Sequence, residues 1–138
     1  MPRQDDPALT GDIKVLRRIP PTGDRVEWDA DGTPTPTSQN FRDNRTDELS
    51  LYIATETTPE RVLHGLCGFG LVELTIREIR EVYRNHNRDL VICRDEDADS
   101  GPGHILACGK PSPSMRDKLR TCAKWVDGYW PAKTEDVT

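Results

Sequence analysis

The apolar residues of this chain occur in short runs, and several of these runs end at a proline or a glycine. Residues 13–19 run into Pro20 and Pro21, and His104–Cys108 runs into Gly109. Hydrophobic residues are 34% of the chain and charged residues 31%, so little apolar material is left for the connections. Because 138 residues is the size of one ordinary domain, we predict one domain of short strands and helices.

Strand signals recur along the chain. Apolar and polar residues that alternate, or a short run rich in β-branched residues, are typical of a strand. The segments with this character are 13–19, 26–28, 49–54, 69–74, 90–93 and 104–108. We expect the second segment to pair back onto the first through the turn at residues 22–24. Residues 29–47 then form a long connection, which in compact domains is usually functional or disordered.

Three segments have the chemistry of a helix start. Thr58 is followed by proline and glutamate, which suits a hydroxyl cap. Thr75 with Glu78, and Ser114 with Asp117, match the capping box, in which hydroxyl and carboxylate each bind an orphan amide. The apolar face of the third helix consists of Met115, Leu119, Cys122 and Val126. We predict an α+β fold: a mixed, mostly antiparallel sheet of about five strands with two or three covering helices.

The ends of the chain are polar and charged. We divide it into a flexible tail at residues 1–11, a single α+β domain at residues 12–130 and an acidic tail at residues 131–138. The start does not resemble a signal peptide, and no run approaches the roughly 18 apolar residues that a membrane span needs. We therefore expect a cytoplasmic protein with no membrane contact, whose four cysteines stay as thiols.

The net charge of −5 disfavours nucleic-acid binding, because neutralising phosphates requires a basic face. The basic residues of the third helix leave that alternative open. If they formed such a face, the affinity for nucleic acid would fall steeply with added salt.

The cysteines and histidines do not form a metal motif. The chain has no Cys-x-x-Cys pair. His104 and Cys108 lie on one strand at a separation of about 13 Å, which is too far for one zinc ion. His64 and Cys67 supply only two ligands. We predict no metal and no cofactor.

The segment around Lys110 resembles a phosphate loop only in part. His104 stands where the Walker pattern has glycine, and Pro111 stands where it has a hydroxyl. A helix start beside a lysine can still bind an anion. Lys110 is therefore a candidate contact for a phosphate or a carboxylate.

Arg17 and Arg18 are neighbours on the first strand, so one side chain points inward and the other outward. An arginine aimed into a core or a cleft needs a partner, and Asp43, Glu60 or the acidic loop at residues 95–99 can supply it. Two interpretations are open. One is a buried salt bridge that fixes the long loop, and the other is an anion clamp that uses the donors of the guanidinium.

Residues 36–43 gather polar groups around one aromatic residue, Phe41. If Phe41 anchors the loop in the core, Ser38 and Asp43 are held at its edges, either within a turn or as part of a site. His104 opens a strand beside the acidic loop. It is either a histidine with its hydrogen bonds satisfied or a group that handles protons.

These residues also carry a resemblance to a family. The chain resembles an uncharacterised bacterial family of short hypothetical proteins, with motifs of the form Arg-Arg-Ile-Pro-Pro, Ser-x-x-Phe-x-Asp, Leu-Ser-Val-Tyr and His-Ala-x-Val-x-Gly-Lys. The matching stretches are residues 17–21, 38–43, 49–52, 68–72, 94–95, 104–110 and 125–126. The resemblance covers nearly the whole chain and implies a shared fold, and no activity comes with it.

A second resemblance is to RES-type toxins, which consume NAD through a fold related to ADP-ribosyltransferases. Their pattern is an arginine on an early strand, a Tyr-x-Ala strand and a helix that supplies a glutamate. Arg17 or Arg18, then Tyr52, then Glu60 occur in that order. The resemblance implies an enzyme in which Arg18 holds phosphate and Tyr52 orients the substrate.

Two functional hypotheses follow. The first is a small binding or accessory module that works through a protein partner in a larger bacterial system, such as one for defence or conflict. Trp125, Tyr129 and Trp130 are side chains typical of interfaces, and they can equally cap the core of the domain. The alternative is an enzyme acting on NAD or another phosphorylated small molecule, in which Ser38 helps Tyr52 to orient the substrate and Glu60 or His104 moves protons.

Overall fold

The structure, a computed structural model, describes residues 3–42, 47–97 and 99–133. Its strands are β1 (Lys14–Ile19), β2 (Val26–Trp28), β3 (Pro34–Pro36), β4 (Glu48–Ile53), β5 (Gly70–Thr75), β6 (Val91–Arg94), β7 (His104–Cys108) and β8 (Lys124–Trp125). Its helices are α1 (Pro59–Val62), α2 (Ile76–Asn85) and α3 (Pro113–Cys122), together with short 3₁₀ helices at Ser38–Phe41 and Ala54–Glu56.

Six strands form the main sheet, in the order β6-β7-β4-β1-β5-β8. Each pairing of neighbours in the described part of this sheet is antiparallel. The predicted α+β fold with a mostly antiparallel sheet is confirmed, and the sheet has one strand more than predicted. Its last member, β8, pairs with β5 by placing Trp125 opposite Val72 and Lys124 opposite Glu73.

Alternation along the strands gives the main sheet two different faces. On β1, Val15 and Ile19 are fully buried in the larger apolar cluster, which α2 and α3 cover. We call this side the core face. Leu16 points the other way and packs with Tyr52 and Val62 in a smaller cluster under α1. We call this second side the α1 face.

The short strand β2 pairs with β3 and not with β1. Val26 lies opposite Pro36, and Trp28 lies opposite Pro34. The predicted pairing back onto β1 is therefore wrong, and the connection after β2 contains a strand and a 3₁₀ helix. Proline is tolerated here because a two-stranded pair has free edges that need no amide donor. The indole nitrogen of Trp125 donates to the carbonyl oxygen of Pro34 at 2.8 Å and ties this pair to the main sheet.

The starts of α1 and α2 follow the predicted chemistry. The hydroxyl of Thr58 accepts a hydrogen bond from the amide of Arg61 at 3.2 Å. Thr75 and Glu78 form the full capping box. None of the helices in the described ranges combines the length and apolarity that a bilayer crossing requires.

The predicted cap of α3 is wrong by two residues. Ser112, and not Ser114, accepts the capping hydrogen bond, from the amide of Met115 at 3.3 Å. The reason is Pro113, which occupies the first helical position. Proline has no amide donor, so it suits that position, and the cap must come directly before it.

The end of α3 also differs from the prediction. The helix stops at Cys122 because Ala123 adopts an extended backbone and the chain enters β8. Val126, predicted on the apolar face of the helix, lies beyond it, where its amide donates to the carbonyl oxygen of Leu71 at 2.9 Å. Sheet pairing with β5 has replaced the last turn of the predicted helix.

Residues 3–11, predicted as part of a flexible tail, pack on the domain. Leu9 is 1% exposed and belongs to the larger apolar cluster. The amide of Asp6 donates to the carbonyl oxygen of Ile92 at 2.9 Å, and a carboxylate oxygen of Asp5 accepts from the amide of Ile92 at the same distance. The segment thus occupies the free edge of β6. Residues 134–138 of the predicted acidic tail lie outside the described residues.

Candidate functional site

Arg17 lies on the core face and binds backbone carbonyls. Its Nε donates to the carbonyl oxygen of Asn40 at 2.6 Å, and its Nη1 donates to that of Ser50 at 2.9 Å. Burial lowers the pKa of Arg17 to about 10, and the neighbouring charge of Arg25 adds to this effect. The predicted buried salt bridge is not found among the residues that the structure describes, and Asp43, one of its predicted partners, lies outside them.

Arg18 lies on the α1 face and keeps most of its donors free. Its Nε donates to the carbonyl oxygen of Val62 at 2.7 Å, and its guanidinium carbon lies 4.9 Å from the centre of the Tyr52 ring. The flat guanidinium is therefore held by stacking and by one hydrogen bond. Its two Nη groups have no hydrogen-bond partner within the described part of the chain.

Arg18 lines an open pocket of about 570 Å³. The walls are α1, with the turn that follows it, and the loop that precedes β7. The residues that line the pocket are Arg18, Glu60, Arg61, His64, Asp99, Ser100, Gly101 and Pro102. The lining thus combines two arginines and a histidine with two carboxylates and a hydroxyl.

Glu60 is held at the rim of this pocket by Tyr129. The Tyr129 hydroxyl donates to a Glu60 carboxylate oxygen at 2.5 Å. This hydrogen bond is the main reason why the pKa of Glu60 is lowered and the pKa of Tyr129 is raised. Glu60 is therefore held as an exposed carboxylate that can accept further hydrogen bonds.

His104 connects three polar groups beside Tyr52. It is 5% exposed, and its ring centre lies 5.1 Å from that of Tyr52. Its Nε2 lies 2.5 Å from the hydroxyl oxygen of Ser50. Its Nδ1 lies 2.7 Å from the main-chain oxygen of Asp95 and 3.4 Å from a carboxylate oxygen of the same residue. Ser50, His104 and Asp95 thus form a continuous chain of polar contacts, which we call the His104 relay.

Arg94 holds the start of the acidic loop that carries Asp95. Its two Nη groups bind the two carboxylate oxygens of Glu56 at 2.7 and 2.9 Å, and Nη1 also binds Glu96 at 2.6 Å. The hydrogen bonds from Arg94 are the main reason why the pKa of Glu56 is lowered. The bidentate contact with Glu56 restricts the orientation of the Arg94 side chain, next to Asp95 in the chain.

The structure brings together some of the predicted site residues and separates others. Arg18 and Tyr52 are in contact, Tyr52 packs on His104, and Glu60 shares the pocket with Arg18. Phe41, by contrast, is 1% exposed on the core face, beneath the guanidinium of Arg17.

Two further predicted residues, Ser38 and Lys110, do not line the pocket beside Arg18. Ser38 begins the 3₁₀ helix that packs against α3. Lys110 is exposed in the turn before α3. Asp43 lies outside the described residues. Arg17 and Ser38 thus do not lie with His104, because Arg17 points to the opposite face from Tyr52 and the 3₁₀ helix packs on α3.

Sequence reasoning did not assign Ser50 or Arg61 to a site. It considered His64 only as a metal ligand, and Asp95 only as part of an acidic loop that could pair with an arginine. A signal for Ser50 was present, because Ser50 and Tyr52 alternate with the apolar residues of β4 and must share a face. The contact with His104 depends on the register that places Tyr52 opposite His104. That register is not visible in either segment alone.

Comparison of this chain with protein-family models, with curated proteins and with solved structures finds no significant match. The resemblances to the bacterial family and to RES-type toxins stay predictions.

Proposed function

We propose that this protein binds a phosphorylated small molecule in the pocket beside Arg18. One observation carries the proposal: Arg18 lines an open pocket while its guanidinium contacts Tyr52 and Val62, and its Nη groups have no hydrogen-bond partner among the described residues. A planar guanidinium donates two parallel hydrogen bonds to a phosphate or a carboxylate. The site is thus ready to bind an anion without rearranging Arg18.

The rest of the pocket indicates the kind of ligand. Arg61 and His64 add further donors to the lining of the pocket, while Glu60 and Asp99 can only accept while they are ionised. A phosphate with hydroxyl groups on the same molecule fits this division, because its phosphate meets the donors and its hydroxyls meet the carboxylates. Sugar phosphates and nucleotides, NAD among them, have this composition.

Binding is tested by isothermal titration calorimetry with NAD, AMP and ribose 5-phosphate, at constant ionic strength. A charge-assisted hydrogen bond contributes about 1.5–3 kcal/mol, so we expect Arg18→Gln to weaken binding about tenfold to hundredfold. Arg120→Gln removes the same charge from α3 and is the matched control, with unchanged affinity. Absence of binding by the native chain contradicts the proposal. Loss of binding in Arg84→Gln instead would place the ligand in a separate pocket of about 510 Å³ lined by Arg80, Arg84 and Arg88.

Turnover of NAD is a second candidate function, favoured by the position of Glu60. Arg18 contacts Tyr52 and shares its pocket with Glu60, and these are residues that the RES resemblance implies. The test is release of nicotinamide from NAD by the native chain and by Glu60→Ala. We expect release by the native chain only. If the native chain binds NAD but releases no nicotinamide, NAD turnover is contradicted and the binding function stands.

Contact with a protein partner is a further candidate, favoured by Trp130. This side chain is 53% exposed, and tryptophan is enriched at the centre of interfaces. We expect Trp130→Ser to lose a partner that co-purifies with the native chain, while folding is unchanged because the indole is largely outside the core. A native chain that elutes as a monomer and retains no host protein would count against this function.

A further inference from the structure

The contacts of His104 fix which of its ring nitrogens carries the proton. Nδ1 lies 2.7 Å from the main-chain oxygen of Asp95, and a carbonyl oxygen can only accept. In the neutral ring Nδ1 must therefore be the donor, which leaves Nε2 as the acceptor. The hydroxyl of Ser50, 2.5 Å from Nε2, then donates its proton to His104. This is the polarity that activates a serine hydroxyl.

The surroundings of the pair suit a reactive serine. His104 is 5% exposed, so the base is shielded, whereas Ser50 keeps part of its surface exposed. Arg17 binds the main-chain oxygen of Ser50 at 2.9 Å and fixes the backbone that carries this hydroxyl. The Asp95 carboxylate, 3.4 Å from Nδ1, supplies the negative charge that stabilises an imidazolium.

A second serine–histidine pair on the surface shows what the relay adds. Ser114 lies 3.5 Å from Nε2 of His86, and Nδ1 of His86 binds the main-chain oxygen of Val82 at 2.8 Å. The polarity is the same, but the serine contact is 1.0 Å longer than the Ser50–His104 contact of 2.5 Å. No carboxylate among the described residues forms an ion pair with the His86 ring. Ser114 therefore provides a matched internal control.

We propose that Ser50 is a nucleophile that cleaves small carboxylic esters, with His104 as its base and Asp95 as a positioning residue. Oγ of Ser50 bonds to the ester carbonyl carbon while its proton moves to Nε2 of His104. The bond from that carbon to the alcohol oxygen breaks, and His104 returns the proton to the leaving oxygen. Water then attacks the acyl-serine, with its proton taken by His104 and passed back to Oγ of Ser50, so the acid is released and the site is restored.

Arg18 gives this site a preference among esters. Arg18 and Tyr52 lie on the same face of the sheet as Ser50, so an ester with an anionic group can place that group at the guanidinium. This preference rests on the proposed anion-binding function. The cleavage itself does not, since a neutral ester or a small phosphonyl reagent needs only Ser50 and His104.

The test is reaction with a neutral fluorophosphonate, followed by mass spectrometry of the intact protein and its peptides. Oγ of Ser50 bonds to phosphorus and fluoride leaves, so the protein gains one phosphonyl group. We expect labelling of Ser50 in the native chain, none in Ser50→Ala, and labelling about a hundredfold slower in His104→Gln, since a general base contributes about 10²–10⁴-fold. Ser114→Ala should react like the native chain.

Two further variants separate this proposal from its alternatives. Asp95→Asn keeps the main-chain contact to Nδ1 and tests the carboxylate without disturbing the buried ring, with an expected loss of about tenfold in labelling rate while the circular dichroism spectrum is unchanged. Arg18→Gln should lower the ratio of the cleavage rates of anionic and neutral esters, which measures the preference that rests on the anion-binding function. A folded native chain that is not labelled at Ser50, or whose labelling survives Ser50→Ala, overturns the proposal whether or not Arg18 binds a phosphate.

Discussion

Arg17 and Arg18 are adjacent in the chain, yet their guanidinium groups lie on opposite faces of the main sheet. Arg17 lies near Phe41 on the core face, and Arg18 stacks over Tyr52 on the α1 face. Successive residues of a strand point in opposite directions, so Arg17 packs in the interior and Arg18 lines the pocket. The two positions should therefore respond very differently to the same substitution.

Arg17→Ala should destabilise the fold more than Arg18→Ala. Removing Arg17 leaves the carbonyl oxygens of Asn40 and Ser50 without this donor, and an unsatisfied buried acceptor costs about 1–3 kcal/mol. We expect the free energy of unfolding of Arg17→Ala to fall by about 2–3 kcal/mol in urea denaturation. Arg18→Ala removes the donor from one carbonyl oxygen, that of Val62, and should lose about 1 kcal/mol. Equal losses would contradict the assignment of the two faces.

Ser112→Ala should cost more stability than Ser114→Ala. Ser112 is the cap of α3, and its hydroxyl accepts a hydrogen bond from the Met115 amide nitrogen at 3.3 Å. Losing such a cap costs about 1 kcal/mol of stability. Ser114 is exposed in the first turn, where a change to alanine should stay within about 0.5 kcal/mol. The midpoints of thermal unfolding of the two variants decide between the cap of the structure and the predicted one. The reverse order would restore Ser114 as the cap.

Gly70→Ala should destabilise the fold, with Gly23→Ala as its control. A Cβ at Gly70 would lie 2.8 Å from both Cδ and the nitrogen of Pro131 and 3.0 Å from Trp125, so the segment after β8 must move. Overpacking of this kind costs about 1–3 kcal/mol. A Cβ at Gly23 meets nothing within 4 Å. Urea denaturation of the two variants measures the difference, and equal stabilities would show that the segment at Pro131 does not pack on β5.

Tyr129→Phe should raise the pKa of Glu60. The Tyr129 hydroxyl is the main cause that lowers this pKa, so its removal should bring the value back toward that of an ordinary glutamate. A lowered carboxyl pKa stabilises the fold at pH values above the unfolded pKa, and this contribution is lost as the pH falls through the folded pKa. The pKa is measured by following the NMR chemical shift of the Glu60 side-chain carboxyl carbon as a function of pH. An unchanged pKa in Tyr129→Phe would mean that the hydrogen bond does not persist in solution.

Much of the fold could be predicted because it depends on neighbouring residues. The caps at Thr58 and Thr75 need only a hydroxyl and an amide three residues away. The prediction of Ser114 as the cap of α3 is wrong, because two local signals compete in this segment. Ser114 and Asp117 have the spacing of a capping box, whereas Pro113 prefers the first helical position and so makes Ser112 the cap. The sheet pairing of Trp125 with Val72 was missed because it joins segments far apart in the chain.

The sequence by itself determined which side chains share a face of each strand, because the two-residue period is a property of the extended backbone. It therefore separated Arg17 from Arg18 and grouped Ser50 with Tyr52. Only the tertiary structure decided that His104 lies opposite Tyr52 and within reach of Ser50 and Asp95. Strand order and register are set by burial of the whole sheet, and a shift of one residue in β7 would turn His104 to the core face.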